Sequence, residues 1–515
     1  MGIPYYFYTL TKIYPNIVSH SLPLNPDIYC MDFNGVIHPI CANETDEDQM
    51  IEKLYQKIIT DITTLQPKKL ILCIDGVVPL AKMIQQRKRR YLSVLRNKID
   101  NVQIKWDTNA ITPGTQFMKK LNTYLKKKFR YNTHDINIFF SGSDEYGEGE
   151  HKIFTQLQSE PQEHSVIIHG LDADLIILCL MSHKKNIYLL REASGNNNKH
   201  QHASHNTFLN IDNLRIAIIK ELTKKWNIIL QDPNDMYSKE AQDVIESYCV
   251  MCSLLGNDFI PHLLTLNLKA DGLEKLITYT GISYRTNGLL VQNSVINYMA
   301  LSDILQNIAK TEDKDIYTIT EKYIKSSANH HTHARHATQA ASEYYAIKNK
   351  DSLAEKIYTN IGKWRQHYYK HLFNTNIAID SSVITSACQQ YITGIYWTFA
   401  YYKKLHYDNT WYYPYEYPPT LRDIANYTLG NTSPIMEGKT VAYDTTIQLL
   451  IVLPVESKVL MEEKYQKYME DIKHGLYHLY PRQYHIHTYL KTHLWECAPK
   501  LPIINIDYIK KITTI

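Results

Sequence analysis

Short apolar runs alternate with longer amphipathic stretches over the first 275 or so residues, and each run stops at a polar or glycine turn. The runs Ile28 to Phe33, Leu70 to Ile74, Ile136 to Phe140, Ser165 to Ile168 and Asn186 to Leu190 are short, β-branched or aromatic, and closed by polar residues. These are strand signals. Between them, Asp48 to Leu65 and Gly114 to Phe129 carry helical periodicity. Strands alternating with helices predict an α/β unit with a mostly parallel, doubly wound central sheet, whose functional groups gather at the carboxyl ends of the strands.

What stands at those ends is acidic. Asp32 closes IYCMD and Asp75 closes LILCID. Glu148 and Glu150 lie in SGSDEYGEGEHK, Asp172 and Asp174 in GLDADLIIL, and Asp258 in LLGNDFIP. Each acid alone is explained as a turn former or helix cap. Together they are not, because like charges in one cleft repel unless cations hold them. Hard oxygen ligands favour magnesium or manganese over zinc. A pair of such ions can activate water and stabilise a leaving oxygen in phosphodiester cleavage. The joint pattern reads as a metal nuclease site.

Directly after Asp75 comes GVVPLAKMIQQRKRRYLSVLRNK. Lys82, Gln86, Arg89 and Arg90 fall at i, i+4, i+7 and i+8, one face of a helix. An ammonium, an amide and two guanidinium forks suit a phosphate with several free oxygens, so this face fits a 5′-monophosphate end. The plainer reading is a solvated basic face. His38, six residues after Asp32, is a structural histidine or a ring that stacks on a terminal base.

The rest of the chain sets limits. With 515 residues, two or three packed units are expected. The excess of 56 basic over 52 acidic residues leaves only +4, so local charge decides about nucleic acid. The N-terminus lacks a signal-peptide core, Tyr6 stands where a myristoylation motif wants Ser or Thr, and the run Leu175 to Met181 is too short for a bilayer. A non-membrane, cytoplasmic protein is expected. Eight scattered cysteines read as reduced core residues, and the C-x-x-C of Cys249 and Cys252 lacks a second ligand pair for zinc. Residues 195–206 read as a polar loop and 326–342 as a histidine-rich linker. From about 343 to 425 the chain turns helical and tyrosine-rich, either a packed helical unit or a support for stacked bases. The expected division is a nuclease domain over 1–275, a linker region over 276–342, and a helical second region with a C-terminal segment over 343–515.

Taken together, MGIPYYF, DFNGVIH, IDGVVPLAKMIQQRKRR, ITPGTQFM, GEGEHKI, GLDADLIIL, LLREA and LLGNDFIPHLLTL resemble the Xrn-type 5′→3′ exoribonucleases. KWRQHYYKHLF, YITGIYWTFAYYK, WYYPYEYPP, IQLLIVLP and WECAPKLPIINID resemble that family's second conserved region and the segment after it. The resemblance implies a core like that of PIN and flap nucleases, and stepwise hydrolysis of 5′-monophosphorylated single-stranded RNA in RNA decay. It makes Asp32, Asp75, Glu148, Glu150, Asp172, Asp174 and Asp258 the acids for two Mg2+ ions, with Mn2+ able to substitute. It makes Lys82, Gln86, Arg89 and Arg90 the phosphate pocket, and His38 a stacking residue paired with a tryptophan, Trp397 first and Trp411 second. Decapping machinery is the implied partner. The chain departs from the family at Glu145 and Tyr146, where an apolar residue and proline are usual, at Lys88, commonly glycine, and in its histidine-rich linker. It resembles a minimal catalytic unit nearer the cytoplasmic branch, with no zinc-knuckle run between Asp174 and Asp258. A flap endonuclease acting on branched DNA and an inactive RNA-end binder are the alternatives. The first is disfavoured by the QQRKRR face and the second by the full set of seven acids.

Overall fold

The computed structural model describes residues 3, 5–21, 25–130, 136–170, 172–192, 206–328, 352–358, 362–434, 438, 440–491 and 493–513. The loop expected at 195–206 and the histidines of the expected linker lie outside the described residues, apart from Asn206.

A seven-stranded sheet organises the first half of the chain. Its strands are β1 (Val18–Ser19), β2 (Ile28–Asp32), β3 (Lys69–Cys73), β4 (Asn137–Ser141), β5 (Val166–His169), β6 (Ile187–Arg191) and β7 (Thr207–Asn210), in the order β1-β7-β6-β5-β2-β3-β4. Strands β2 to β6 run parallel, whereas β7 is antiparallel to β6 and β1 to β7. All five expected strands are present within a residue of their expected positions, and the two antiparallel strands, β1 and β7, are additional. Strand order reverses between β2 and β5, which opens a crevice at their carboxyl ends.

Helices cover both faces. Tyr29, Met31, Leu70 and Leu72 pack under α2 (Asn34–Cys41), α3 (Glu47–Leu65) and α5 (Gln116–Arg130). Cys30, Ile71, Cys73 and Ile168 pack under α6 (Gly149–Leu157), α7 (Asp174–Ser182), α8 (Ile211–Trp226) and α9 (Lys239–Ser253). Burial on both faces is why the strands read as unbroken apolar runs rather than alternating ones. Asp46 starts α3 by accepting from Asp48 N at 2.8 Å and Gln49 N at 3.1 Å, and Gln66 ends it in the left-handed region at φ 48°.

Between them, α4 (Leu80–Ile99) leans its first turn, through Leu80, Met83 and Ile84, on the helix Thr445–Val452. Residues 276–328, expected as linker, are largely helical and packed: Gly272–Asn287 contacts α8, and Tyr298–Ala309 contacts the helix Leu421–Gly430. The tyrosine-rich region centres on a 22-residue helix, Ser382–Lys403, termed the aromatic helix, which packs on α7 and α9. Gly394 permits that approach, since a Cβ there would stand 2.5 Å from Ile260 Cγ2 and 3.0 Å from the Trp411 ring.

All eight cysteines are free and buried, and burial pushes the Cys252 thiol up to about 12, away from the thiolate a zinc site needs. No helix among the described residues is long and apolar enough to cross a membrane.

Candidate active site

The crevice at the strand-order reversal collects the acids. Asp32 is the last residue of β2, and Asp75 follows β3 by two residues. Glu148 immediately precedes α6, Glu150 lies in its first turn, and Asp174 opens α7. Asp258 arrives differently, from the loop after α9 rather than from a strand end. Gly149 lets the group close: a Cβ there would stand 2.8 Å from Asp32 Oδ1 and 3.4 Å from Asp75 Oδ1. Its N–H instead donates to Asp75 Oδ1 at 2.7 Å, so the positive end of α6 faces the carboxylate. The side chain of Asn34 accepts from Asp75 N at 3.0 Å and holds that turn.

Burial and mutual repulsion mark these groups as one cluster. Burial, then the charges of Asp75, Asp172 and Glu148, pushes the Asp32 carboxyl well up. Burial and Glu148 do the same to Asp75 and Glu150. Asp174 rises to about 7 through burial and Asp258, and its Oδ1 has no hydrogen-bond partner. Ligand atoms of Glu148, Glu150 and His151 lie within 4.8 Å of one another. A crowded, buried, oxygen-dominated set with an orphaned carboxylate oxygen fits a hard divalent cation.

Lys82, expected in the phosphate pocket, has its ammonium among the acids. Its Nζ is 2.6 Å from Glu148 Oε2 and 2.9 Å from Asp258 Oδ2, inside the acidic cluster. It occupies the first turn of α4, where the helix starts beside Asp75, so its long stem reaches the acids. Burial raises the Asp258 carboxyl, but the ammonium outweighs that and holds it well below the usual range.

One and two turns on, α4 presents the remaining expected donors. Gln86 is buried with its Oε1 unpartnered, and Arg90 is buried with its Nη1 unpartnered. Burial and the adjacent, exposed Arg89 push the Arg90 guanidinium down to about 9. A buried guanidinium with a spare donor beside a second one is a cradle for an anion. His38 belongs to α2 rather than to a loop. It keeps an exposed edge, but desolvation of its ring and then Arg89 and Arg90 lower its pKa, so it is neutral at pH 7. Arg87 points the other way, donating to Ile451 O at 3.1 Å and to Leu479 O.

The tryptophans sort differently from expectation. Trp397 is fully buried: its Nε1 donates to Asp408 O at 2.6 Å, Tyr401 stacks on it at 4.9 Å, and Phe259 and Trp411 close around it. No face remains for a base. Trp411 is half-buried and donates to Gln390 Oε1 at 2.9 Å. Sequence reasoning missed Trp495, which is 46% exposed, stacks on His493 at 5.8 Å and 10°, and lies 6.1 Å from Tyr5. With Arg89, Asp258, Tyr415 and Lys491 it lines a groove of about 240 Å³ beside the acids. Its sequence signal was its place at the head of WECAPKLPIINID, a segment that resembles the family but names no role for the ring.

Profiles of known families match almost the whole chain. The one described as "XRN 5'-3' exonuclease N-terminus" covers residues 1–193, and "Xrn1 helical domain" covers 238–361 and 318–513. The chain belongs to the XRN 5′–3′ exonuclease family. Human "5'-3' exoribonuclease 1" is 28% identical over 98% of this chain, and the match covers 33% of the human protein. The Drosophila melanogaster "5'-3' exoribonuclease 2 homolog" is 24% identical over 98% of this chain and 70% of its own length. This XRN chain thus spans about a third of the human relative. Among solved structures, "The catalytic core of Rad2 in complex with DNA substrate (complex IV)" overlaps 63% of this chain and 79% of that one, at 13% identity and a TM-score of 0.31, too loosely to carry an argument.

In this XRN chain Glu145, Tyr146 and Lys88, expected as departures from the family pattern, are each accommodated. Glu145 accepts from Ser141 Oγ at 2.5 Å, and its carbonyl fills the space a Cβ on Gly76 would need. Tyr146 shares its hydroxyl with Asn409 Nδ2 at 3.5 Å. Lys88 pairs with Glu416 on the wall of the groove.

Proposed function

We propose that this chain is a metal-dependent 5′→3′ exoribonuclease that hydrolyses 5′-monophosphorylated single-stranded RNA and releases nucleoside 5′-monophosphates processively. The observation that carries the reading is a crowded acid cluster with Lys82 in its midst, and on the same helix, two turns on, the buried Arg90 guanidinium with an unpartnered Nη1 donor. The relatives' names, both exoribonucleases, support the RNA substrate.

Asp32, Asp75, Glu148, Glu150, Asp172, Asp174 and Asp258 would hold two magnesium ions, or manganese in their place, which would supply activation of a water and stabilisation of the leaving oxygen. Arg89 and Arg90, with Gln86, grip the terminal phosphate and set the register of the cut. Lys82 balances the acids and stands one helical turn from Gln86, within reach of the same phosphate. His38 offers a neutral ring to the first base, and Trp495 takes the stacking role expected of Trp397. Stacking favours any base, since every base has a π-face, and so lets the strand advance without sequence preference. The nuclease domain and the helical second region work as one enzyme in RNA decay. Cytoplasmic decapping factors are the class of partner that would supply 5′-monophosphate ends.

The test uses one labelled RNA with a 5′-phosphate, a 5′-hydroxyl or a cap, plus a DNA flap, each with magnesium and with chelator. Mononucleotides should appear only from the phosphorylated RNA with metal. Arg90→Ala should narrow the preference for phosphate over hydroxyl more than it weakens overall RNA binding. Equal rates on all three RNA ends, or cutting of the flap alone, would refute the reading.

A further inference from the structure

The aromatic helix brings two consecutive hydroxyls to the acids. Tyr401 donates to Glu148 Oε1, and its ring lies 4.1 Å from that of His151. Tyr402 is 8% exposed, and its hydroxyl has no protein partner.

Beside Tyr402 lies a cavity of about 20 Å³ whose polar lining is Asp174, Asn257, Thr398 and Tyr402, with Ser253 and apolar side chains around them. Among the described residues four of these groups have no hydrogen-bond partner: Asp174 Oδ1, Asn257 Nδ2, Thr398 Oγ1 and Tyr402 Oη. The Asn257 amide is not free to turn over. Its Oδ1 accepts from the N–H groups of Phe259 at 2.9 Å and Ile260 at 3.0 Å, which leaves the NH2 as the orphan. An amide donor disfavours a cation. A cavity of this size admits one water, and a buried water needs two to four polar partners. Donors on Asn257 and Tyr402, an adaptable hydroxyl on Thr398 and an acceptor on Asp174 meet that need.

We propose that the aromatic helix positions the metal-binding acids from behind: Tyr401 fixes Glu148 directly, and Tyr402, Thr398 and Asn257 fix Asp174 through one water held in this cavity. These are positioning residues. They keep two carboxylates of a crowded, mutually repelling group in the orientation a cation requires, as partners behind metal ligands do in general. The inference rests on the proposed role of Glu148 and Asp174 as metal ligands, not on the identity of the substrate.

The experiment titrates Mn2+ into the full chain by calorimetry and follows RNA cleavage against magnesium concentration. The variants are Tyr401→Phe, Tyr402→Phe and Thr398→Val, with Tyr368→Phe as control. Tyr368 is equally buried and aromatic, but its hydroxyl donates to Pro418 O at 2.7 Å. Tyr401→Phe and Tyr402→Phe should each bind Mn2+ about tenfold more weakly, and cleavage should recover at raised magnesium. Tyr368→Phe should lower the melting temperature without moving metal affinity. Should Tyr402→Phe not fold, Thr398→Val carries the same expectation for the water. Metal affinities within twofold of the unmodified chain in the folded variants, or an equal loss in Tyr368→Phe, overturn the proposal. A chain that binds Mn2+ as expected yet leaves RNA intact refutes the exoribonuclease reading instead, and the affinity comparison still decides this one.

Discussion

Replacing Lys82 with methionine removes one charge and keeps most of the stem. In the structure its Nζ is 2.6 Å from Glu148 Oε2 and 2.9 Å from Asp258 Oδ2, with all three side chains nearly buried. At an effective dielectric near 20, each contact is worth roughly 6 kcal/mol before desolvation is subtracted. The net cost of stranding buried partners is about 3–5 kcal/mol. That cost belongs to the metal-free protein. A bound divalent cation neutralises the same two carboxylates, so with magnesium the deficit should shrink to about 1 kcal/mol, the scale of an ordinary surface pair. Urea unfolding of both proteins, in chelator and in saturating magnesium, measures the difference. An equal deficit under both conditions would show that Lys82 and the metal do not share a charge-balancing role, and the acids could no longer be treated as one cluster neutralised by either cation.

The junction between the aromatic helix and α9 should be acid-labile. Burial raises the Glu246 carboxyl, but hydrogen bonds from His183 at 2.8 Å and Lys403 at 2.6 Å outweigh it and lower it to about 2, while burial lowers His183 to about 4. Both values lie below the unfolded ones, so the stability is fully present above pH 6.5. It is lost as pH falls, first through His183 and then through Glu246, which contributes roughly 3 kcal/mol; Glu246→Gln should flatten the lower part of a pH–stability curve. Trp397→Ala should cost about 3–5 kcal/mol and depress every activity together. Trp495→Ala should leave the melting temperature unchanged and weaken single-strand binding by about 1–3 kcal/mol, as fluorescence titration would read. Gly149→Ala would bring a methyl within 2.8 Å of Asp32 Oδ1, and calorimetry should find metal binding lost in a chain that still folds.

The parallel strands were legible because both faces of β2, β3 and β5 are covered, which writes each as an unbroken apolar run. The antiparallel strands β1 and β7 were not. They have two and four residues, and only pairing makes them strands. Six acids were readable from their places at strand ends, but the turn that brings Asp258 in from a helix end leaves no trace in spacing. Periodicity put Lys82 on the right face of α4 and could not say that its first turn abuts the acids. The aromatic helix is buried on most sides, so no stripe separates Trp397, a core residue, from a surface ring. Trp495 sits in the three-residue turn Leu494–Glu496, too short for any period.

Arg87 carries a consequence for how the molecule is made. Its guanidinium grips carbonyls of Ile451 and Leu479, whereas the rest of α4 is synthesised with the sheet. Translation adds about 5–20 residues per second, so roughly 20–80 s separate Arg87 from Leu479. Through that interval Arg87 of α4 lacks the carbonyls it finally grips, and Glu148 awaits Tyr401. The parts that pack behind α4 and Glu148 are the parts made late, so the candidate site is complete only once most of the chain has been synthesised.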